Sequence, residues 1–286
     1  MIKITLPDGS VKEFASGVTP MEVAKSISEG FARNVISASF NGTTVETTTP
    51  LTTDGSLILY TWNDEDGKKA FWHSTSHVMA QVLEQMYPGI KLTLGPAIAN
   101  GFYYDVDFEE HKVTEADFKK IEDRVLEISR GKHEFKLRPV SKADALELYK
   151  DNVYKTEMIT NLEDGTITFC DHDTFTDLCR GGHIPNTGII KAMKIMSVAG
   201  AYWRGDEKNK QLTRVYGTSF PKQKDLTEYL ALLEEAKRRD HRKLGKELEL
   251  FAFSQKVGQG LPLWLPKGAA LRERLEPFLK KAQLNA

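Results

Sequence analysis

The first 62 residues hold the pattern that most constrains the fold: short strand-like segments in pairs, with one helix between them. The segments that predict strands are Ile2–Leu6, Val11–Phe14, Val35–Phe40, Thr43–Thr48 and Leu57–Thr61. Turn signals at Pro7–Ser10 and Asn41–Gly42 join the first four segments into two β-hairpins. Thr19 and Glu22 flank a proline in the start signal of a capped helix. Two hairpins around one helix predict a small, ubiquitin-like β-grasp domain.

The rest of the chain mixes helical and strand patterns, which is typical of an α+β fold. Predicted helices are Phe71–Tyr87, Glu115–Arg130 and Lys142–Lys150, and predicted strands are Thr166–Cys170 and Lys194–Val198. Asn63–Lys69 is interpreted as a polar linker. Residues 225–250 form one long helical pattern, and residues 251–286 hold too little to bury a core. We expect four segments, 1–62, 63–224, 225–250 and 251–286, and a chain that is part of a longer protein.

Length and composition exclude several classes of protein. The 286 residues are 40% hydrophobic, enough for a sizeable core, and no apolar run approaches the ~18 residues that span a bilayer. The chain has two cysteines and opens like a strand, so we expect a cytoplasmic protein without a membrane partner. Residues 222–286 hold 14 Lys and Arg against nine Asp and Glu. This basic end favours either an anionic partner or a solvated helix.

His73 and His77 are the strongest local signal for chemistry. Four residues apart on a helix, the two imidazoles lie on one face with their bases about 6 Å apart. The pKa of histidine lies near neutrality, so such a pair can hold a water, transfer a proton or bind a metal. The plain alternative is two histidines on a helix surface.

A second motif adds Cys179 and His183, at the two ends of the stretch CRGGH. Its Gly-Gly pair excludes an ordinary helix and allows backbone or ligand to approach closely. Three histidines and a cysteine are ligands of the kind that zinc prefers, so a zinc site is one interpretation. A polar pocket that activates water without metal is the other, and the residues alone leave both open.

Together these motifs resemble the bacterial threonyl-tRNA synthetases. Residues 1–62 are similar to the TGS domain of that family. The motifs that resemble its second additional, or editing, domain are His73-x-x-x-His77, Gly101–Asp105, Asp177–His183 and Gly200–Asp206. Asp240–Gly245 and Leu261–Arg272 are similar to the entry of the class II catalytic domain. One departure is Gly182, which stands where the family commonly has proline.

The resemblance implies post-transfer editing, which is hydrolysis of the ester in tRNA(Thr) mischarged with serine. Serine lacks one methyl group of threonine, and one carbon gives only ~1–3 kcal/mol of discrimination, so a second site is needed. By resemblance, the water is positioned and activated by His73, His77 and Lys155. The seryl group or a second water is held by Asp177, and the pocket near the terminal adenosine is completed by Cys179 and His183. Substrate contacts are implied for Gly95, Tyr104 and Arg180.

The resemblance implies no cofactor for editing, because the threonyl editing pocket is understood to work without metal. Equivalent positions bind zinc in alanyl-type relatives, so zinc held by His73, His77, Cys179 and His183 is the alternative. ATP, Mg²⁺ and the zinc used in aminoacylation belong to a catalytic domain expected beyond Ala286, so we expect this chain not to charge tRNA.

The implied partners are tRNA(Thr) carrying serine and, for the full-length enzyme, a second copy bound through the catalytic domain. Lys237, Arg238 and Arg242 are candidate contacts to tRNA, with a merely solvated helix as the alternative. Two other functions stay open at this point. They are a zinc-dependent hydrolase of another aminoacyl ester and a non-catalytic tRNA-binding module.

Overall fold

The computed structural model describes residues 1–258 and 260–285, and the chain divides into two compact units, Met1–Leu226 and Thr227–Ala286. The predicted segment 251–286 includes residues 259 and 286, which lie outside the described residues. None of the described helices is long and apolar enough to cross a bilayer.

The first unit begins with a β-grasp domain, in which a five-stranded sheet packs on a short helix. Its elements are β1 (Ile2–Thr5), β2 (Val11–Phe14), α1 (Pro20–Ile27), α2 (Glu29–Ala32), β3 (Val35–Phe40), β4 (Thr43–Val45) and β5 (Gly55–Thr61). The strand order is β2-β1-β5-β3-β4, with β1 and β5 parallel and the other pairs antiparallel. Ile4, Ala38 and Leu57 of the sheet and Val23 of α1 share one core. The predicted hairpins, helix and fold class are confirmed.

Helix α3 (Glu65–Met86) begins earlier than predicted. Part of Asn63–Lys69, predicted to be a linker, forms its first turns. Asp64 is the N-cap residue, and Glu65 and Asp66 occupy the first turn, where the helix dipole favours acids. The charged residues of this stretch therefore begin a helix and do not form a linker.

The middle of α3 is buried. Every residue from Ala70 to Leu83 is buried except His73, which is half-buried. The hydroxyls of Ser74, Thr75 and Ser76 donate to carbonyls of the preceding turn at 2.7, 2.9 and 2.7 Å. Because these bonds satisfy the polar groups locally, the helix can carry them through the core.

The remainder of the first unit is an α+β domain built on two antiparallel sheets. Its elements are β6 (Lys91–Leu92), β7 (Ala97–Ile98), β8 (Gly101–Asp107), α4 (Glu115–Arg130), β9 (Lys136–Pro139), α5 (Lys142–Leu148), α6 (Val153–Thr160), β10 (Thr168–His172), β11 (Phe175–Leu178), β12 (Ala192–Tyr202) and β13 (Gln211–Phe220). One sheet has the order β12-β13-β8-β6, with β7 also paired to β8, and α3 and α4 pack on it. The other sheet has the order β11-β10-β9, and Cys179 follows directly after its strand β11. The predicted helices and strands of this region all exist, with ends shifted by a few residues.

Helix α7 (Gln223–Arg238) leads into the second unit, which continues with α8 (His241–Glu247), β14 (Phe251–Ala252), β15 (Leu263–Trp264) and α9 (Pro266–Leu284). Residues 225–250, predicted as one helix, thus contain two. Asp240 interrupts the ladder because its carboxylate accepts the backbone N–H of Arg242 at 2.8 Å and pairs with the Arg242 side chain. This N-cap starts a new helix in place of continuing the first.

Candidate functional site

Helix α3 presents His73 and His77 on one face, as their spacing predicts. Their Nε2 atoms are 3.3 Å apart, and the rings meet edge to face with centroids 4.6 Å apart. The His77 side chain is buried and His73 is half-buried. The pair is therefore not two histidines on a helix surface.

The loop after β11 brings Cys179 and His183 to the same place. Cys179 Sγ lies 3.1 Å from His73 Nε2 and 3.3 Å from His183 Nε2. Gly181 and Gly182 have φ values of +97° and +89°, a left-handed conformation that glycine adopts without strain. The ligand atoms of the two histidines on α3, the cysteine and His183 all lie within 4.8 Å of one another. The two motifs found in the sequence therefore form one cluster.

Each histidine of the cluster has an oxygen atom at its outer ring nitrogen. His77 Nδ1 lies 2.9 Å from Asp177 Oδ2, and His183 Nδ1 lies 2.9 Å from Glu46 Oε1. His73 Nδ1 faces the Gly95 carbonyl oxygen at 3.5 Å. The two carboxylates favour a proton on Nδ1 of His77 and of His183, and Nε2 of each of the three rings is directed at the centre of the cluster.

Asp177 is the hub of a buried network behind His77. Its carboxylate accepts hydrogen bonds from His77 Nδ1, from the Tyr104 hydroxyl at 2.6 Å and from the Lys155 ammonium. Asp177 is 2% exposed and Lys155 is 1% exposed. Burial alone raises the pKa of such a carboxyl, but the Lys155 charge and the His77 hydrogen bond hold the pKa of Asp177 well below its usual range. Asp177 is thus an ionised orienting group.

The electrostatics of the cluster favour an ionised Cys179. Burial opposes ionisation, but the charge of His77 and hydrogen bonds from His183 and His73 hold the pKa of this thiol well below its usual range. Burial also opposes a charged His183, yet its bonds to two cysteines and to Glu46 raise its pKa well above the usual value. Burial lowers the pKa of His73. The cluster therefore contains both proton donors and proton acceptors.

A cavity of about 650 Å³ opens against the cluster. Seven predicted site residues line it, namely His73, His77, Gly95, Tyr104, Asp177, Cys179 and Arg180. Lys155 lies behind Asp177 and lines a separate hollow, and His183 is fully buried. Gly95 has to be glycine at this wall, because a Cβ there would overlap the Tyr104 ring.

Two residues of the site were missed in the sequence. Glu46 belongs to the β-grasp domain, whose acids look scattered, and it lies 137 positions from His183, so no local pattern points to it. Arg204 lines the cavity and pairs with Glu157 at 2.6 Å. The sequence does contain a signal for Arg204, because this residue lies within the Gly200–Asp206 motif.

The three predicted tRNA-binding residues lie in α7 and α8, within the second unit. All three are exposed, Arg238 pairs with Glu235, and Arg242 pairs with Asp240 at 2.6 Å. Lys237 precedes them at the end of α7. None of the three lines the cavity, and their role in tRNA binding stays a prediction.

The donor set of the cluster fits a zinc ion. Zinc bonds of 2.0–2.1 Å to nitrogen and about 2.3 Å to sulfur place tetrahedral ligands about 3.3–3.6 Å apart. Three of the six ligand pairs of the cluster are separated by 3.1, 3.3 and 3.3 Å, and every pair lies within 4.8 Å. The outer acceptors on the ring Nδ1 atoms are also of the kind that orients metal-bound histidines.

Comparison with known families matches two parts of the chain. Residues 2–61 match the TGS domain. Residues 166–216 match the threonyl and alanyl tRNA synthetase second additional domain. The second match covers β10 to β13 and includes Cys179 and His183.

Proteins named threonine–tRNA ligase are similar to this chain over its whole length. The identity is 88% over the full chain for the protein of Flavobacterium johnsoniae and 87% over 99% of the chain for that of Flavobacterium psychrophilum. For the protein of Cytophaga hutchinsonii it is 59% over the full chain. The chain spans 44% or 45% of the length of these relatives. With this identity over its whole length, the chain belongs to the threonyl-tRNA synthetase family.

Proposed function

We propose that this chain carries the editing activity of a threonyl-tRNA synthetase and hydrolyses the ester bond of tRNA(Thr) mischarged with serine. The observation that carries the proposal is the convergence of three histidines and Cys179 in one cluster, of which His73, His77 and Cys179 line the cavity. Its volume of about 650 Å³ lies within the range typical of small-molecule sites. Such a cavity can admit the aminoacyl end of a tRNA.

In its neutral form, His77 is suited to act as the general base. Its Nδ1–H donates to Asp177, which leaves Nε2 able to accept a proton from a water molecule in the cavity. His73 Nε2 lies 3.3 Å from His77 Nε2, so His73 borders the space in which this water would lie. Asp177 stabilises the imidazolium that forms, and Lys155 and Tyr104 hold Asp177 in place.

The proposed reaction conserves all atoms of the ester and one water. The water oxygen attacks the carbonyl carbon while one of its protons passes to His77 Nε2, which gives a tetrahedral intermediate. The bond between this carbon and the ribose oxygen then breaks, and the proton on Nε2 passes to the ribose oxygen. The products are serine and tRNA with a free terminal hydroxyl group.

Selection between serine and threonine is proposed to occur by size. One methyl group changes binding by only ~1–3 kcal/mol, so synthesis alone admits some serine. The wall formed by Gly95 and Tyr104 is closely packed, because even one added carbon at Gly95 overlaps the tyrosine ring. We expect such a wall to exclude the additional methyl group of threonine.

The fit of the cluster to zinc favours a second candidate, a zinc-dependent hydrolase of an aminoacyl ester. Zinc would be held by His73, His77, Cys179 and His183. A zinc ion there would supply a Lewis acid, and it would lower the pKa of a coordinated water if one of the four ligands gave up its position or the ion took a fifth ligand. In that case Asp177 and Glu46 keep their role of orienting the rings through Nδ1.

The chain covers less than half the length of the relatives that it matches. We propose that the full-length enzyme attaches threonine to tRNA(Thr) with ATP and Mg²⁺, with a zinc ion at that separate site. We also propose that it acts as a homodimer in the cytoplasm.

A side-by-side deacylation assay tests the proposed editing. We expect seryl-tRNA(Thr) to be hydrolysed and threonyl-tRNA(Thr) to persist. The His77→Ala variant is expected to slow hydrolysis by about 10²–10⁴-fold, as loss of an acid–base group does. His111→Ala, which changes an exposed histidine outside the cavity, is the matched control. Persistence of seryl-tRNA(Thr) with the unaltered chain would favour a non-catalytic tRNA-binding module.

A further inference from the structure

Glu46 connects the β-grasp domain to the histidine cluster of the next domain. It follows β4 and is 7% exposed. Its carboxylate accepts three hydrogen bonds, from the Gly182 N–H at 3.0 Å, the His183 N–H at 3.2 Å and His183 Nδ1 at 2.9 Å. A buried carboxylate is costly unless it is paired, and here all of its partners belong to one loop.

The loop is shaped to make these bonds. Gly182 has φ of +89° and donates its N–H to Glu46, and proline could do neither. A Cβ on Gly181 would lie 3.0 Å from a Leu137 methyl group and 3.2 Å from Glu46 Oε1. Glycine at both positions therefore allows the loop to approach the β-grasp domain closely.

The His183 ring needs Glu46 to present the correct edge. Phe135 stacks on this ring at 5.2 Å between centroids with planes 6° apart, and His73 stacks on it at 5.0 Å. Stacking fixes the plane of the ring, but a half-turn about its bond to Cβ leaves that plane unchanged. The acceptor at Nδ1 breaks this near-symmetry, so that Nε2 lies 3.3 Å from Cys179 Sγ.

We propose that Glu46 is a positioning residue of the editing pocket. It holds the 181–183 loop and turns His183 Nε2 towards Cys179, so the β-grasp domain completes a site that otherwise belongs to the following domain. This inference rests on the proposed function, because its readout is the hydrolysis of seryl-tRNA(Thr). It gives the β-grasp domain a part in the chemical step.

The first test compares Glu46→Ala with Glu46→Gln in the full chain. Loss of an outer partner of a site histidine typically costs 10–100-fold in activity, so Glu46→Ala should lower kcat by about that factor without changing KM. Glu46→Gln keeps an oxygen that can accept from Nδ1–H and should recover most of the rate. Glu13→Ala removes an acid that is 59% exposed in the same domain and should leave the rate unchanged.

A double variant separates positioning from general loss of structure. If Glu46 acts through His183, adding Glu46→Ala to His183→Ala should not lower the single-turnover rate further. The proposal would be overturned if the rate losses of the two single variants multiplied in the double variant. It would also be overturned if Glu46→Ala and Glu46→Gln lost the same rate, or if Glu46→Ala changed KM alone. Rates are compared at a temperature below the thermal unfolding midpoint of every variant. If Glu46→Ala does not fold, Glu46→Asp replaces it, since a shorter carboxylate should also lose the Nδ1 contact, and full activity there would refute the idea.

The unaltered chain distinguishes a failure of the proposed function from a failure of the proposed role of Glu46. If it does not hydrolyse seryl-tRNA(Thr), the proposed function fails. If it does, and Glu46→Ala is as fast as Glu13→Ala, editing stands and the role of Glu46 is refuted.

Discussion

Replacing Lys155 with methionine should destabilise the first unit, because it leaves the buried Asp177 carboxylate without its cation. Methionine keeps a long apolar stem, so the change removes mainly the charge. Removing one partner of a buried ion pair costs about 3–5 kcal/mol. Asp177 would retain the Tyr104 hydroxyl and His77 as donors, which places the expected loss near the lower end, about 3 kcal/mol. For a unit of this size that is a fall of roughly 6–12 °C in the unfolding midpoint.

The destabilisation should depend on pH in a way that identifies its cause. The pKa of Asp177 is depressed in the folded chain, so its contribution is complete above its unfolded pKa near ~3.9 and is lost progressively as the pH falls from there through the lower folded pKa. The pKa of Lys155 is raised, because Asp177 outweighs burial, so its contribution is lost as pH rises above ~10.4. The difference between the unaltered chain and Lys155→Met should therefore be greatest between about pH 4 and pH 10 and shrink on either side.

Thermal and urea unfolding, followed by circular dichroism across this pH range, measure the difference. Lys150→Met is the matched control, because Lys150 is 61% exposed and pairs with Glu147 at the surface. A surface pair contributes about 0–1 kcal/mol, so this variant should unfold almost as the unaltered chain does. Equal losses for Lys155→Met and Lys150→Met at pH 7, or a loss that persists unchanged at pH 3, would refute the reasoning.

Three further predictions concern the pocket, the metal and the tRNA. Gly95→Ala should abolish most hydrolysis of seryl-tRNA(Thr), because its Cβ overlaps the Tyr104 ring, and a fully active variant would contradict that packing. If editing needs no metal, elemental analysis should find no stoichiometric zinc and a chelator should leave turnover intact; bound zinc with chelator-sensitive turnover would select the zinc-dependent candidate. Replacing Lys237, Arg238 and Arg242 together with alanine should weaken tRNA binding and flatten the slope of log affinity against log salt, and an unchanged slope would remove them from the tRNA footprint.

Local patterns predicted what local interactions decide. The capping box at α1 is a clear example: Thr19 accepts the Glu22 N–H at 3.2 Å, and the Glu22 carboxylate accepts the Thr19 N–H at 2.8 Å. The four-residue spacing of His73 and His77 likewise predicted that both rings share one face. These features depend on residues within one helical turn, so the sequence contains all the information that they need.

Features that depend on distant contacts were not predictable from the sequence pattern. Lys155 looks like an ordinary helical lysine, yet it is buried because Asp177 lies beside it in the fold. Glu46 has no motif around it, and its role comes from the loop that packs against it. The break at Asp240 was missed for another reason: a long amphipathic pattern does not reveal that a side chain can cap the next helix.

The three oxygen atoms behind the histidines explain why the cluster is assembled from separate segments. Spacing on a helix sets where a ring lies, but it does not set which nitrogen faces inward. Gly95, Asp177 and Glu46 supply that information from a loop, a hairpin and a different domain. Because the Asp177 and Glu46 carboxylates orient rings that stay in place, removal of either carboxylate should cost about 10–100-fold, whereas removal of an acid–base ring should cost about 10²–10⁴-fold. We therefore expect substitutions of the acceptor side chains to reduce the rate less than substitutions of the histidine rings. The reverse order would mean that Asp177 or Glu46 itself contacts the substrate.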